Sequence, residues 1–187
     1  MTILEQLLRS GKRVSRGGSA AGGAPGSRAL NMTMERQLET NWCWAAVSVS
    51  VRKFYTPGSP VTQCQIANQQ LSTGTCCANS SSATCNKPWF LNRALAGMGA
   101  LNAMSNGTLP FTSVQIEIDN TRPLGCRIGW RLGGGHFVCI DGYASVATGD
   151  FVTILDPWYG TTTETYSNFS TNYRSSGSWT HSYTTNP

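Results

Sequence analysis

Four side chains of this 187-residue chain, Gln37, Cys43, His136 and Asp156, are of the types that acyl transfer requires. A thiol attacks a carbonyl well only as thiolate, and two local effects favour that form: the positive end of a helix and a neighbouring imidazolium. Cys43 follows Thr40-Asn41, both acceptable cap residues, at the start of a helical pattern. Taken alone, it would read as a small buried hydrophobe, the commoner fate of a free cysteine. Gln37 lies six residues upstream. A side-chain amide there, beside the nucleophile's own backbone N–H, can hold the oxyanion of a tetrahedral intermediate; a solvated loop glutamine is the plainer alternative. His136 is one of two histidines, follows Gly133-Gly134-Gly135 and opens the apolar run Phe137-Val138-Cys139-Ile140. Glycines allow close approach of chain or substrate at that point, whereas a core histidine would simply bond a carbonyl. His181, in a Ser/Thr-rich stretch near the end, reads as surface. Asp156 closes the run Phe151-Val152-Thr153-Ile154-Leu155 and precedes Pro157. At the end of a neighbouring strand it can accept the second imidazole N–H and fix the tautomer; otherwise it is the start of an Asp-Pro turn. Asp141 is nearer in sequence, but five residues along the strand of His136 put it about 16 Å away.

These groups need elements to position them. Trp44, Val47, Val51, Phe54 and Tyr55 recur at helical spacing, and Thr56-Pro57-Gly58 ends the pattern. Ser59-Pro60 has the form of a cap and first helical residue for a second helix to about Leu71. Asn86 is the expected cap of a third, through Leu91 and Leu95 to Gly97, and Thr112 with Gln115 has the capping-box form for a fourth, to Asn120. After Pro123 the texture turns strand-like over 124–131, 135–143, 150–156 and the Thr/Tyr/Trp-rich tail from Thr161. Helices first and strands afterwards predict an α+β domain, a helical half packed on an antiparallel sheet, with Cys43 on one half and His136 on the other.

Composition narrows the function. Residues 1–36 hold six Lys/Arg against Glu5 and Glu35, while residues 37–187 hold eight against seven. The folded part is near neutral, which argues against a nucleic-acid surface. No run approaches the roughly 20 apolar residues of a membrane span, and the start, interrupted by Glu5, does not form an apolar export segment. Residues 10–30 are Gly/Ser/Ala/Arg-rich with little to bury, so residues 1–31 are expected to be a disordered basic leader and 32–187 the domain. Setting Cys43 aside leaves Cys64, Cys76, Cys77, Cys85, Cys126 and Cys139. Six cysteines make three disulfides in an oxidising compartment or stay thiols in a reducing one, and the first four cluster tightly enough to suggest local bridges. Adjacent Cys76-Cys77 and the scarcity of histidine fit a zinc site poorly. No metal or organic cofactor is expected.

The stretch Gln37 to Ala46, with Trp42-Cys43-Trp44-Ala45-Ala46, resembles the nucleophile segment of bacterial papain-like cysteine proteases, a family that includes avirulence-effector proteases of plant pathogens. The likeness continues through Gln63-Cys64-Gln65-Ile66, Cys85-Asn86-Lys87-Pro88-Trp89 and Arg127-Ile128-Gly129-Trp130. It runs on through Gly135-His136-Phe137 to Asp156-Pro157-Trp158-Tyr159-Gly160, covering roughly residues 32–183. The resemblance implies a two-lobed papain-like fold and a Cys43–His136–Asp156 triad with Gln37 in the oxyanion role. It implies a cysteine endopeptidase acting through a thioester acyl-enzyme on a protein or peptide, as a monomer that is secreted or translocated into another cell; a cytoplasmic enzyme is the alternative. Two departures mark a compact relative: no Cys-Gly-Ser precedes the nucleophile, and His136 follows Cys43 by 93 residues rather than about 130–150. The same constellation serves a transglutaminase or amide acyltransferase, and a catalytically silent binding module can share the fold.

Overall fold

In the computed structural model of the chain, which describes residues 26–187, the stripe through Trp44, Val47 and Val51 forms helix α1, Cys43–Tyr55. Every residue from Cys43 to Val51 is buried, so α1 is the central rod of the helical half rather than a surface helix. Helix α2, Gln63–Leu71, starts later than Ser59-Pro60 predicts. Thr62 caps it and Gln65 reaches back to the Thr62 backbone, a reciprocal box that satisfies two otherwise unpaired N–H groups. Helix α3, Leu91–Gly97, has Phe90 rather than Asn86 at its cap position. Helix α4, Phe111–Asp119, begins after Pro110, which puts Thr112 inside the helix instead of at its cap.

The strands are β1 (Gly26–Ala29), β2 (Leu101–Asn106), β3 (Leu124–Trp130), β4 (Gly135–Val146), β5 (Gly149–Asp156), β6 (Gly160–Thr165) and β7 (Gly177–Thr185). They form one antiparallel sheet in the order β2-β7-β3-β4-β5-β6. β3 pairs with β4 from Gly135 to Ile140, and β1 continues along the same edge from Gly142 to Ser145. Residues before the boundary expected at 32 therefore already form a strand of the sheet. The reason is tertiary: Gly26–Ala29 gain backbone hydrogen bonds from an edge already present, which their own side chains do not announce. The rest of the expected leader lies outside the described residues. The tail is not all strand either, because Thr165 caps a further helix, α5, Tyr166–Asn172.

The sheet is covered on both faces. On one, Phe137, Cys139, Leu155 and Tyr183 pack with α1, α2 and α3 around Trp42 and Trp44. On the other, Ile128, Val138, Ile140 and Ile154 pack with Phe111, Val114 and Ile118 of α4 and Phe169 of α5. The domain is thus α+β, a helical lobe on an antiparallel sheet lobe. Disulfides Cys64–Cys77 and Cys76–Cys85 tie the loop after α2 to itself and to that helix. Cys126 and Cys139 remain thiols, because they point into cores on opposite faces of the sheet. The cysteines are thus neither fully paired nor fully reduced.

Candidate active site

Cys43 is the first residue of α1. Its neighbours are locked from the side by the loop that the Cys76–Cys85 bridge holds. Trp42 Nε1 donates to the Cys85 carbonyl at 2.8 Å and Trp44 Nε1 to that of Lys87 at 3.0 Å. Asn86 Oδ1 accepts from the Asn41 backbone N–H at 3.0 Å, and Asn41 Nδ2 donates to the Asn86 carbonyl at 3.0 Å. Asn41 and Asn86, both read from sequence as helix caps, instead brace the approach to Cys43. Trp42 stands at the cap position with no side-chain cap bond. The first N–H groups of α1 are left with the partial positive charge that favours an anion nearby.

His136 opens β4 across a hairpin whose turn uses Gly133 and Gly134 at φ 97° and 83°, a left-handed backbone that a side chain would strain. The ring's Nε2 lies 2.8 Å from Asp156 Oδ1, and Cys43 interacts with the same ring, whose Nδ1 the carboxylate does not use. Burial alone would lower the basicity of His136, but its hydrogen bond to the Asp156 carboxylate and its interaction with Cys43 outweigh that and raise its pKa to about 9. Trp130 stacks on the imidazole with centroids 6.2 Å apart and an interplanar angle of 20°, and Tyr159 meets it edge-on.

Asp156 ends β5, one residue short of the turn that Gly160 makes possible at φ 84°. Its Oδ1 also accepts from the backbone N–H groups of Trp158 and Tyr159 at 2.7 and 2.9 Å. Its Oδ2 accepts from the hydroxyl of Tyr173 at 2.8 Å. Burial would raise the pKa of this carboxyl, yet the His136 bond and those two N–H donors hold it below the ordinary carboxylate range. Asp141 takes no part: it is buried on β4 with Oδ1 unpartnered, and burial pushes it up to about 7.

Gln37 reaches the site from the extended segment before α1, its backbone N–H donating to the Pro157 carbonyl at 2.9 Å. Both N–H groups of its amide are engaged: Nε2 donates to the Glu39 carbonyl at 2.8 Å and to that of Thr40 at 3.0 Å, while Oε1 is buried without a partner. Two carbonyls facing one amide nitrogen set its orientation, so Gln37 lines the cleft with its N–H groups turned into its own loop.

Gln37, Cys43 and His136 line a cleft of about 350 Å³ with Trp44, Trp89, Trp130, Phe137, Trp158 and Tyr159. Asp156 lies behind His136, 2% exposed. His181 stands apart on β7, its Nδ1 2.9 Å from the Thr180 hydroxyl. Sequence reasoning missed Tyr173, 17 residues beyond Asp156, and Trp130; neither carries a local signal of its place.

The model of the Peptidase_C39 like family matches residues 29–184. None of the curated proteins compared with the chain matches it. Among solved structures, a double glycine motif protease from an AMS/PCAT transporter, in complex with the leader peptide, is 17% identical with a TM-score of 0.48, over 86% of this chain and 95% of its own. The Pseudomonas avirulence protein AvrPphB is 10% identical with a TM-score of 0.40, over 83% and 97%.

Proposed function

The chain belongs to the peptidase C39-like family, and from that premise we propose that it is an endopeptidase working through Cys43, His136 and Asp156 with a thioester intermediate. That it is a cysteine peptidase follows from the family; the division of labour is our reading. The observation that carries it is the hydrogen bond between His136 and Asp156, with Cys43 beside the same imidazole in an open cleft.

With a pKa of about 9, His136 is cationic at neutral pH. The sulfur of Cys43 attacks the peptide carbonyl, an S–C bond forms, and the carbonyl oxygen becomes an oxyanion. The Cys43 backbone N–H at the start of α1 is one donor for it. The Gln37 amide is the second, by sharing or exchanging its bond to the Glu39 or Thr40 carbonyl. As the C–N bond breaks, His136 delivers its proton to the leaving amine. The neutral ring then takes a proton from water, which attacks the thioester and releases acid and free thiol. Asp156 keeps the ring oriented throughout.

The substrate is a protein or peptide that lies along the cleft. The disulfides Cys64–Cys77 and Cys76–Cys85 suit an oxidising setting, so we place the working enzyme outside the cytosol of its producer. Incubation of the chain with a diverse peptide library, read by mass spectrometry, tests the reading. Wild type yields new peptide termini and Cys43→Ala yields none while keeping its circular dichroism spectrum. Isopeptide products with an added amine would instead identify an acyltransferase, and an inert wild type a binding module.

A further inference from the structure

Three aromatic residues at the cleft carry an arginine on their faces. Arg36 lies over Trp158, its guanidinium carbon 5.8 Å from the ring centroid. Arg174 lies over Tyr159 at 3.8 Å. Arg93 lies over Trp89 at 5.7 Å and over Phe90 at 5.0 Å. Trp89 belongs to the helical wall, Trp158 and Tyr159 to the sheet wall, and all three line the cleft. The three arginines are exposed. None pairs with a carboxylate in the ion pairs of the described residues, which are Lys53–Glu35, Arg122–Glu117 and His136–Asp156.

The rim is also short of acids. Segments 86–93, 130–137, 157–163 and 173–178 contain Lys87, Arg93, Arg131 and Arg174 but no Asp or Glu. Of the two carboxylates flanking Gln37 in sequence, Glu35 pairs with Lys53, and Glu39 accepts from the Ser80 hydroxyl, which brings no countercharge. The described chain as a whole is nearly balanced, with ten Lys/Arg against eight Asp/Glu. Five of those ten cations, Arg36, Lys87, Arg93, Arg131 and Arg174, thus lie beside residues that line the cleft, in sequence or stacked on their rings, and Arg36 itself lines the adjoining hollow with Pro157 and Trp158. A guanidinium stacked on a ring keeps its N–H edge free, and the ring limits the rotamer freedom it would lose on binding. Cations of one sign around a cleft also focus potential into it.

We propose that the cleft selects peptides carrying Asp or Glu on both sides of the scissile bond, the carboxylates meeting Arg93 on the helical wall and Arg36 and Arg174 on the sheet wall. The proposal deepens the peptidase reading and rests on it. The exposed arginines contribute modestly one by one and act together.

The test is a degenerate synthetic peptide library cleaved by the full chain, with cleavage sites mapped by mass spectrometry. Asp and Glu are enriched within a few positions on each side. In one cleaved peptide, each Glu→Gln replacement lowers kcat/KM about 1.5- to fivefold, the range of an exposed ion pair. Raising salt from about 0.05 to 0.5 M narrows that gap as screening shortens. The triple variant Arg36→Gln, Arg93→Gln, Arg174→Gln loses the preference while still cleaving. Cleavage without acidic enrichment, or enrichment unchanged in the triple variant, overturns the proposal and leaves the peptidase standing. No cleavage of any peptide removes the peptidase reading, and this inference with it.

Discussion

The hydroxyl of Tyr173 donates to Oδ2 of Asp156 at 2.8 Å, while Oδ1 of the same carboxylate faces the His136 ring. The two oxygens are thus held by different partners, one by the residue that follows α5 and one by the imidazole. Tyr173 is itself fixed: it is fully buried, it stacks on Trp130 at 6.4 Å, and Trp130 stacks in turn on His136. Gly177, which bridges to Tyr173, has no room for a Cβ, because one would stand 2.4 Å from Ile128 and 2.7 Å from Trp130. The chain's tail therefore reaches the catalytic pair through a tight contact.

Tyr173→Phe removes that donor and nothing else. A hydrogen bond to a charged group is worth about 1.5–3 kcal/mol, so kcat should fall about 10- to 150-fold if the bond is fully expressed in the transition state, with KM nearly unchanged. The melting temperature should fall by several degrees as well, because the same bond counts in stability although the ring still fills its place. A Phe variant with wild-type kcat would make Tyr173 a packing residue only.

His136 gives the pH dependence. Its pKa is raised from the ordinary 6.5 to about 9, with burial opposing and Asp156 and Cys43 prevailing. A cation stabilised in the fold contributes fully below about 6.5, and that contribution is lost as pH climbs through about 9. Activity should fall along an alkaline limb near pH 9, and the stability advantage of wild type over His136→Ala should shrink between pH 6.5 and 9. Asp156→Asn should move the limb to lower pH. An alkaline limb that stays put in Asp156→Asn would contradict the pairing.

The proposed oxyanion role of Gln37 separates from its observed role as a brace. If it is an oxyanion donor, its loss in Gln37→Ala costs about 10²–10³ in kcat. As a brace for the Glu39 and Thr40 carbonyls, its loss lowers the melting temperature. Both effects are expected. Kinetics within threefold of wild type, with only the melting temperature lowered, would leave the brace alone.

The disulfide-held loop should report on the cleft. Cys64→Ala/Cys77→Ala and Cys76→Ala/Cys85→Ala free the segment whose Cys85, Asn86 and Lys87 backbones hold Trp42, Asn41 and Trp44. Closing a loop of about 15 residues is worth about 3 kcal/mol, so each pair should lower stability by about 2–3 kcal/mol in denaturant. The Cys76/Cys85 pair should lower kcat more, because Cys85 bonds the residue beside the nucleophile. Equal activity losses from the two pairs would argue against that coupling.

Alkylation separates the free thiols. Cys126 and Cys139 are raised well above an ordinary thiol by burial, and neither is exposed. Cys43 lines the open cleft beside cationic His136. A brief iodoacetamide pulse at pH 6 should modify Cys43 alone, and His136→Ala should slow it strongly. Peptide mapping reads the outcome; labelling of Cys126 at a comparable rate would refute the arrangement.

Much of the architecture was legible because it is written in local periodicity. Val47, Val49 and Val51 also alternate as a strand would, but Ala45-Ala46 and the length of the stripe favoured the helix that forms, and the apolar runs ending at Ile140 and Asp156 read as covered strands. Caps were less legible: Thr62 with Gln65 displaced Ser59-Pro60, and Asn86 serves Asn41 rather than α3. Several side chains can satisfy the same helix end, and long-range contacts choose among them.

By itself, then, the sequence determined the helix and strand periods, the segregation of helices before strands, and the residue types capable of acyl transfer. Tertiary structure decided what those residues meet. It paired Gly26–Ala29 with β4, put Cys126 and Cys139 on opposite faces of the sheet, turned both N–H groups of Gln37 into its own loop, and brought Tyr173 to Asp156. A side chain's period along the chain is a local property. Its hydrogen-bond partner depends on where distant backbone comes to rest, and no short pattern encodes that.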